Sequence, residues 1–325
     1  MIEYNGIKIE LTEIDNYRGF NLSNKGLKSL NEVLGLEGEI EVEYLDISYN
    51  ELTSLSDVIF TLPNLKVLYA RENKISNIPE SIGNINSLEF IELRENRLRT
   101  LPESIGELRN LDSLLLDGNP LENLPESLGN LISLETLGLF DTKLEYFPES
   151  MKKLPQFHLD FSNPFLTRFP QSILNIKNLI GLSLVESNLA FIPENIDILK
   201  DLNFLSLKNN QLNSLPETIG NISSLYYLEI AKNKLTSLPE SIGNLTSLKI
   251  LDVMDNELTT LPVSIGNLKS LKRLYLHSNR ISSIPKSILN LDSLEDLELT
   301  NNPIMNEKNN PIIEKLKERN VLINN

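Results

Sequence analysis

Apolar residues along this chain follow a pattern that starts, stops and restarts. In the stretch 235–256, LTSLPESIGNLTSLKILDVMDN, apolar side chains stand at Leu248, Leu251 and Val253, Asn256 follows, and Leu258 resumes, giving L-x-x-L-x-L-x-x-N-x-L. The brief alternation predicts a very short strand, and the asparagine after it a turn. The unit recurs from about Leu45 to Ile304, with its Leu-Pro or Ile-Pro pair at Pro79, Pro102, Pro125, Pro148, Pro170, Pro193, Pro216, Pro239, Pro262 and Pro285, every step 23 residues except one of 22. A period of that size signals a solenoid of stacked coils.

Asparagine suits the turn because one side chain carries both an acceptor and amide donors. It can satisfy backbone groups of its own and the neighbouring coil where water is excluded. Down the repeats it forms a ladder: Asn50, Asn73, Asn96, Asn119, Asn210, Asn233, Asn256, Asn279 and Asn302. After the turn, proline stands where a helix start tolerates a missing N–H, and Gly83, Gly106, Gly129, Gly220, Gly243 and Gly266 stand where a short helix would stop.

No coil can bury its leucines alone, but stacking about twelve of them closes one shared apolar column. Strands pack roughly 4.8 Å apart and helical segments roughly 8–10 Å, so such a stack bends with its strands inside. The expected fold class is therefore α/β, a curved horseshoe with about twelve parallel inner strands and short helical or 3₁₀ convex segments.

On the strength of these motifs the chain resembles the leucine-rich repeat family over most of its length. Its 23-residue LPESIGNL form is similar to the intracellular subclass of Ras-suppressor, scribble-like and plant intracellular Ras-group proteins, and to many bacterial repeats. The resemblance implies protein recognition on the concave face. Members often carry GTPase, kinase, ligase or PDZ domains beside the repeats, and none is visible in this sequence.

Composition narrows the picture. A repeat array adds length without adding cores, so the 325 residues read as one elongated domain rather than two globular ones. A formal charge of −15 and a pI near 4.7 argue against nucleic acid and anionic membrane as partners, and a partner steered by charge would be basic. Cysteine is absent, which favours a reducing compartment. MIEYNGIKIE lacks a basic segment followed by a long apolar run, and no stretch approaches transmembrane length. The expected location is the cytoplasm, with a bacterial effector delivered to a host cytoplasm as the alternative.

Three segments frame the array. Residues 1–36 read as an N-terminal cap: an Asn5-Gly6 hairpin between Ile2-Glu3-Tyr4 and Ile7-Lys8-Ile9, then a degenerate first coil with Leu22, Leu27, Leu30 and Lys25 on the ladder position. The acidic run Glu37–Glu43 opens the repeats, assigned to 37–304. Residues 305–325 read as a capping helix, with Asn310 as N-cap, Pro311 at the first helical position, Ile312, Ile313 and Leu316 on one face, and Val321-Leu322-Ile323 packing beneath. Between the ends the ladder weakens, holding Thr142, Pro164 and Ser187, and the 22-residue step falls there. This is either drift in a tolerant repeat or a kink that shapes a site.

No constellation for catalysis, cofactor or metal emerges. His158 and His277 are far apart, there is no thiol nucleophile, and no P-loop, G-x-G-x-x-G, H-E-x-x-H or EF-hand spacing occurs. The glutamates after proline, such as Glu80, Glu103, Glu217 and Glu240, read as structural or solubilising groups near helix starts.

The variable residues flanking the strand leucines must face out of the inner sheet. The position before the first leucine holds Tyr44, Val67, Phe90, Ser113, Thr136, His158, Gly181, Phe204, Tyr227, Ile250, Arg273 and Asp296. Two groups follow. One combines Tyr44, Val67, Tyr69 and Phe90 with Arg71 and Arg94; the other combines Phe204, Tyr227, Ile250, Met254 and Tyr275 with Lys208 and Arg273. Parallel strands favour aromatic residues in any case, but exposed apolar groups with Tyr and Arg also mark interfaces. Acidic residues on this face, Glu92, Asp117, Asp160, Glu229 and Asp252 among them, outnumber its bases. The expected function is a non-catalytic protein–protein or protein–peptide binding module whose partner is basic with an apolar centre. The alternative, implied only by the resemblance, is a regulatory subunit or effector-type protein acting on a small GTPase, phosphatase or host signalling protein.

Overall fold

A computed structural model describes residues 2–4, 7–14, 16–30, 42–307 and 309–324. The Asn5-Gly6 turn, most of the acidic run from Glu37 and the cap boundary placed after residue 36 lie outside the described residues. The chain divides into two compact units, Met1–Phe161 with Pro170–Asn178, and Ser162–Phe169 with Leu179–Asn325. Each repeats the same coil: three to five strand residues, a tight turn, and a 3₁₀ segment introduced by proline. The fold is a leucine-rich repeat solenoid.

In the first unit β1 (Ile2–Tyr4) pairs antiparallel with β2 (Ile7–Ile14), and β2 antiparallel with β3 (Tyr17–Asn21). From β3 onward the pairing is parallel: β4 (Tyr44–Asp46), β5 (Val67–Tyr69), β6 (Phe90–Glu92), β7 (Ser113–Leu115), β8 (Thr136–Leu139) and β9 (Phe157–Phe161) follow in register. The second hairpin, β2–β3, was not legible as such in the sequence. β3 serves as the strand of the first coil, with Phe20 opposite Leu45. Gly19 is required there, because a Cβ would collide with the carbonyl of Tyr44.

In the second unit the parallel order is β10 (Leu179–Ser183), β11 (Phe204–Ser206), β12 (Tyr227–Glu229), β13 (Ile250–Asp252), β14 (Arg273–Tyr275), β15 (Asp296–Glu298) and β16 (Leu322–Asn324). The helix α1 (Pro311–Glu318) buries Ile313 and Leu316, and Asn310 accepts the N–H groups of Ile312 at 3.0 Å and Ile313 at 3.4 Å. Residues 321–323 do not simply lie under this helix as expected: Val321 is buried, but Leu322–Asn324 extends the sheet beside β15 because its backbone completes the open edge.

The ladder works as a backbone clamp. Asn73 donates to the carbonyls of Ile47 (2.9 Å), Ala70 (3.3 Å) and Arg71 (3.3 Å), and its Oδ1 accepts the Leu52 N–H at 3.0 Å. Asn233 repeats this with Leu207, Ile230, Ala231 and Leu212. Each asparagine thus satisfies buried groups of two coils, which cost about 1–3 kcal/mol apiece when left unpaired. The residue before it is left-handed; Gly118, Asn209, Asn301 and Asp255 are of types that tolerate this, whereas Tyr49, Glu72 and Lys232 give no sign of it.

On the outer side proline caps most of the 3₁₀ segments instead of opening them, as Pro102 does for Glu103–Glu107. The glycines are not helix stops. Gly106 lies inside its segment because the carbonyl and Cβ of Ser127, one coil on, approach too closely for any side chain. The glutamates bind across the same seam: Glu80 accepts the Ser104 N–H at 3.0 Å and Glu217 the Ser241 N–H at 3.0 Å.

The ladder fails where the sequence weakens. The Thr142 hydroxyl donates to Leu139 O at 3.1 Å, and the Leu121 N–H, which a ladder asparagine would take, turns back to Asn119 O at 2.7 Å. Ser187 accepts the Asn163 N–H at 3.2 Å. The chain passes between the two units after Phe161, Phe169 and Asn178, all within this stretch.

Candidate protein-binding surface

In-register parallel pairing turns the variable positions into columns. Tyr44, Val67, Phe90, Ser113, Thr136 and His158 pair in sequence down the first unit, and Gly181, Phe204, Tyr227, Ile250, Arg273 and Asp296 down the second. The column one residue after the buried leucine places Tyr69 between Asp46 and Glu92, and Tyr275 between Asp252 and Glu298.

In the first unit the rings of Tyr44 and Tyr69 lie 5.6 Å apart at 57°, and those of Tyr69 and Phe90 5.1 Å apart at 43°. Together with Tyr17 and Val67 they wall a pocket of about 310 Å³ whose remaining lining is Glu89 and Asp112. Tyr44 and Val67, read as facing water, are only 3% and 7% exposed, and the Tyr69 ring packs against that of Tyr44. Burial pushes the Tyr44 hydroxyl well above the usual phenol range, and Asp46 adds to the shift. Tyr17 is also raised, chiefly by donating to Glu89 at 3.0 Å.

Arg71 and Arg94 do not stand free in this group. Arg94 grips the buried Glu92 at 2.6 Å and approaches Asp117 to 3.9 Å, while Arg71 pairs with Glu72 at 3.2 Å and lies 5.0 Å from the Tyr49 ring. Their charge is spent within the protein, and so is that of Lys208, 3.0 Å from Glu229. Arg273 is exposed.

In the second unit Phe204 and Tyr227 stack at 5.1 Å with their planes 11° apart, and Ile250 lies on the next strand. All three are half-buried and face out of the sheet. Burial, with Glu229 and Asp252 beside it, pushes the Tyr227 hydroxyl up to about 12. Tyr275 and Met254, grouped with them from the sequence, are half-buried in other columns and are not part of the stack.

The two faces of the coil treat carboxylates in opposite ways. Outer Glu80 and Glu240 are held below their ordinary values, first by the hydroxyls and then by the N–H groups of Ser104 and Ser264. Inner Asp117, Asp160 and Asp252 are raised, in each case chiefly by burial. The outer acids stabilise the stack; the inner ones oppose it.

Sequence reasoning missed Tyr17, Glu89 and Asp112. Glu89 and Asp112 occupy the same coil position one strand apart, so reading one more column would have found both. Tyr17 arrives through the β2–β3 hairpin, which no repeat pattern signals. Among the described residues no group of three or more His, Asp or Glu side chains could hold a metal ion, and no helix is long and apolar enough to cross a membrane.

A family model described as a leucine-rich repeat region matches residues 32–163 and 217–322. Among solved structures, a leucine-rich repeat protein of Leptospira interrogans is 28% identical, with 94% of this chain and 95% of that chain covered and a TM-score of 0.67. The Arabidopsis receptor kinase HAESA, in complex with the peptide hormone IDA and the co-receptor SERK1, is 26% identical over 86% of this chain and 57% of that one, at a TM-score of 0.58. An internalin of Listeria monocytogenes shares the fold at 22% identity, with coverage of 87% and 81% and a TM-score of 0.68. A comparison with curated protein sequences finds no significant match.

Proposed function

Since the chain belongs to the leucine-rich repeat family, we propose that it is a non-catalytic module that captures a protein or peptide on the inner face of its repeats. One observation carries this reading: the inner columns concentrate half-buried aromatic rings and carboxylates whose burial opposes folding, although leucines, ladder asparagines and outer glutamates already meet the needs of the stack. Groups kept at a cost to stability concentrate at functional sites. The HAESA structure holds a peptide hormone, and that likeness supports a peptide or extended segment as occupant.

The partner is basic with an apolar centre. Arg71, Arg94 and Lys208 are neutralised by Glu72, Glu92 and Glu229, and inner carboxylates such as Asp117, Asp160 and Asp252 outnumber the exposed Arg273, so acidic surroundings steer a basic partner to this face. A preformed sheet needs little ordering on binding. The hairpin serves as a cap of the first unit and α1 as a cap of the second, and a chain without cysteine suits a reducing cytoplasm.

The Phe204→Ala/Tyr227→Ala variant tests the reading. Stacked anchors are worth about 2 kcal/mol or more each at an interface, so affinity capture with mass spectrometry should lose the partner while circular dichroism shows the repeat fold retained. Undiminished capture by the folded variant would remove the second-unit surface from consideration.

A further inference from the structure

The first-unit pocket has a more particular chemistry than the surface around it. At about 310 Å³ it lies at the small end of ligand sites, which suits one side chain. Buried Tyr44 and Val67 give an apolar lining for a hydrocarbon stem, and the lining holds two carboxylates, Glu89 and Asp112, and no lysine or arginine. The three rings that line it are tilted against one another, at 57° and 43°, so they form an angular box rather than a flat plate. A compact ammonium fits such a box, whereas a planar guanidinium favours a flat face. The protein already uses this combination beside the pocket: the Lys66 ammonium lies 5.4 Å from the centroid of Tyr17 and 3.0 Å from Glu43.

We propose that this pocket receives a lysine side chain of a basic partner polypeptide, its ammonium held among Tyr17, Tyr44, Tyr69 and Phe90 and facing Glu89 and Asp112. The proposal rests on the inner face being the binding surface, and narrows it to one side chain.

The test titrates the full chain with Ac-Gly-Lys-Gly-NH2 and its norleucine analogue, which replaces the ammonium by a methyl group, and follows the aromatic ring signals by NMR. The lysine peptide should bind about tenfold more tightly than the norleucine peptide. Glu89→Gln with Asp112→Asn should erase that preference with norleucine binding unchanged, and Tyr69→Leu should weaken lysine binding. Equal affinity for the two peptides, an arginine peptide as tight as the lysine one, or lysine binding undiminished in both variants would overturn the proposal. The Phe204→Ala/Tyr227→Ala variant should bind the lysine peptide as the wild type does. Loss of partner capture in that variant alongside a failed peptide titration would sink the pocket and leave the wider reading intact. Normal peptide binding with undiminished capture would keep the pocket and remove only the second-unit surface.

Discussion

In the first unit Tyr44, Tyr69 and Phe90 occupy alternating columns on successive strands, and their rings tilt against one another; in the second, Phe204 and Tyr227 share a column and stack at 11°. The frame is the same in both. Parallel strands place same-column residues one strand spacing apart, roughly 4.8 Å, which brings two rings into a flat pair, while a change of column offsets them and opens a hollow. Column choice therefore decides whether an aromatic group becomes a box or a plate, and with it the shape of what can dock.

If the frame is shared, breaking it should cost the same in either unit. Asn73→Ala and Asn233→Ala each strand a Leu N–H and several carbonyls, so each should lose on the order of 3–5 kcal/mol in urea unfolding. A clear inequality between them would show that the frames differ after all.

The inner bases should separate the units. Arg94 holds Glu92, whose side chain is 4% exposed, whereas Lys208 holds Glu229, which is more open at 13% and also accepts from Ser206 at 2.6 Å. Arg94→Met should cost about 2 kcal/mol and Lys208→Met about 1 kcal/mol, since bonds to charged groups are worth roughly 1.5–3 kcal/mol and Ser206 remains for Glu229. Equal losses would mean that the two bases play the same part.

The smallest effect has the opposite sign. Burial raises the Asp252 carboxyl above its ordinary value, so the cost of ionising it is absent in acid, below the ordinary carboxylate range, and develops as pH rises through the raised folded value. Asp252→Asn keeps an oxygen for the Met254 N–H, 3.1 Å away, and should raise the melting temperature slightly at pH 7. The gain should shrink as pH falls through the carboxylate range. A lower melting temperature at pH 7 would show that the charge stabilises the fold.

Much of this frame was legible because repetition averages over local ambiguity. Nine asparagines at one coil position announce a turn that a single one would not, and their ladder bonds follow from side-chain chemistry. The left-handed residue before some of them was hidden, since Tyr49, Glu72 and Lys232 carry no sign of it; the clamp imposes that conformation from outside the residue. The glycines misled for a related reason. Gly106 answers to Ser127 in the next coil rather than to its own segment, and sequence offers no distance between coils.

The candidate surface divides along the same line. The period and its alternation determined by themselves which residues share a column, because register in a repeat is arithmetic, and so Phe204, Tyr227 and Ile250 were named as neighbours. Only the tertiary structure decided that Tyr44 is covered, that Arg71, Arg94 and Lys208 are neutralised, and that Tyr17 joins Glu89 and Asp112 around a pocket. These depend on how far side chains reach across strands and on a hairpin outside the repeat, and no periodic signal encodes either.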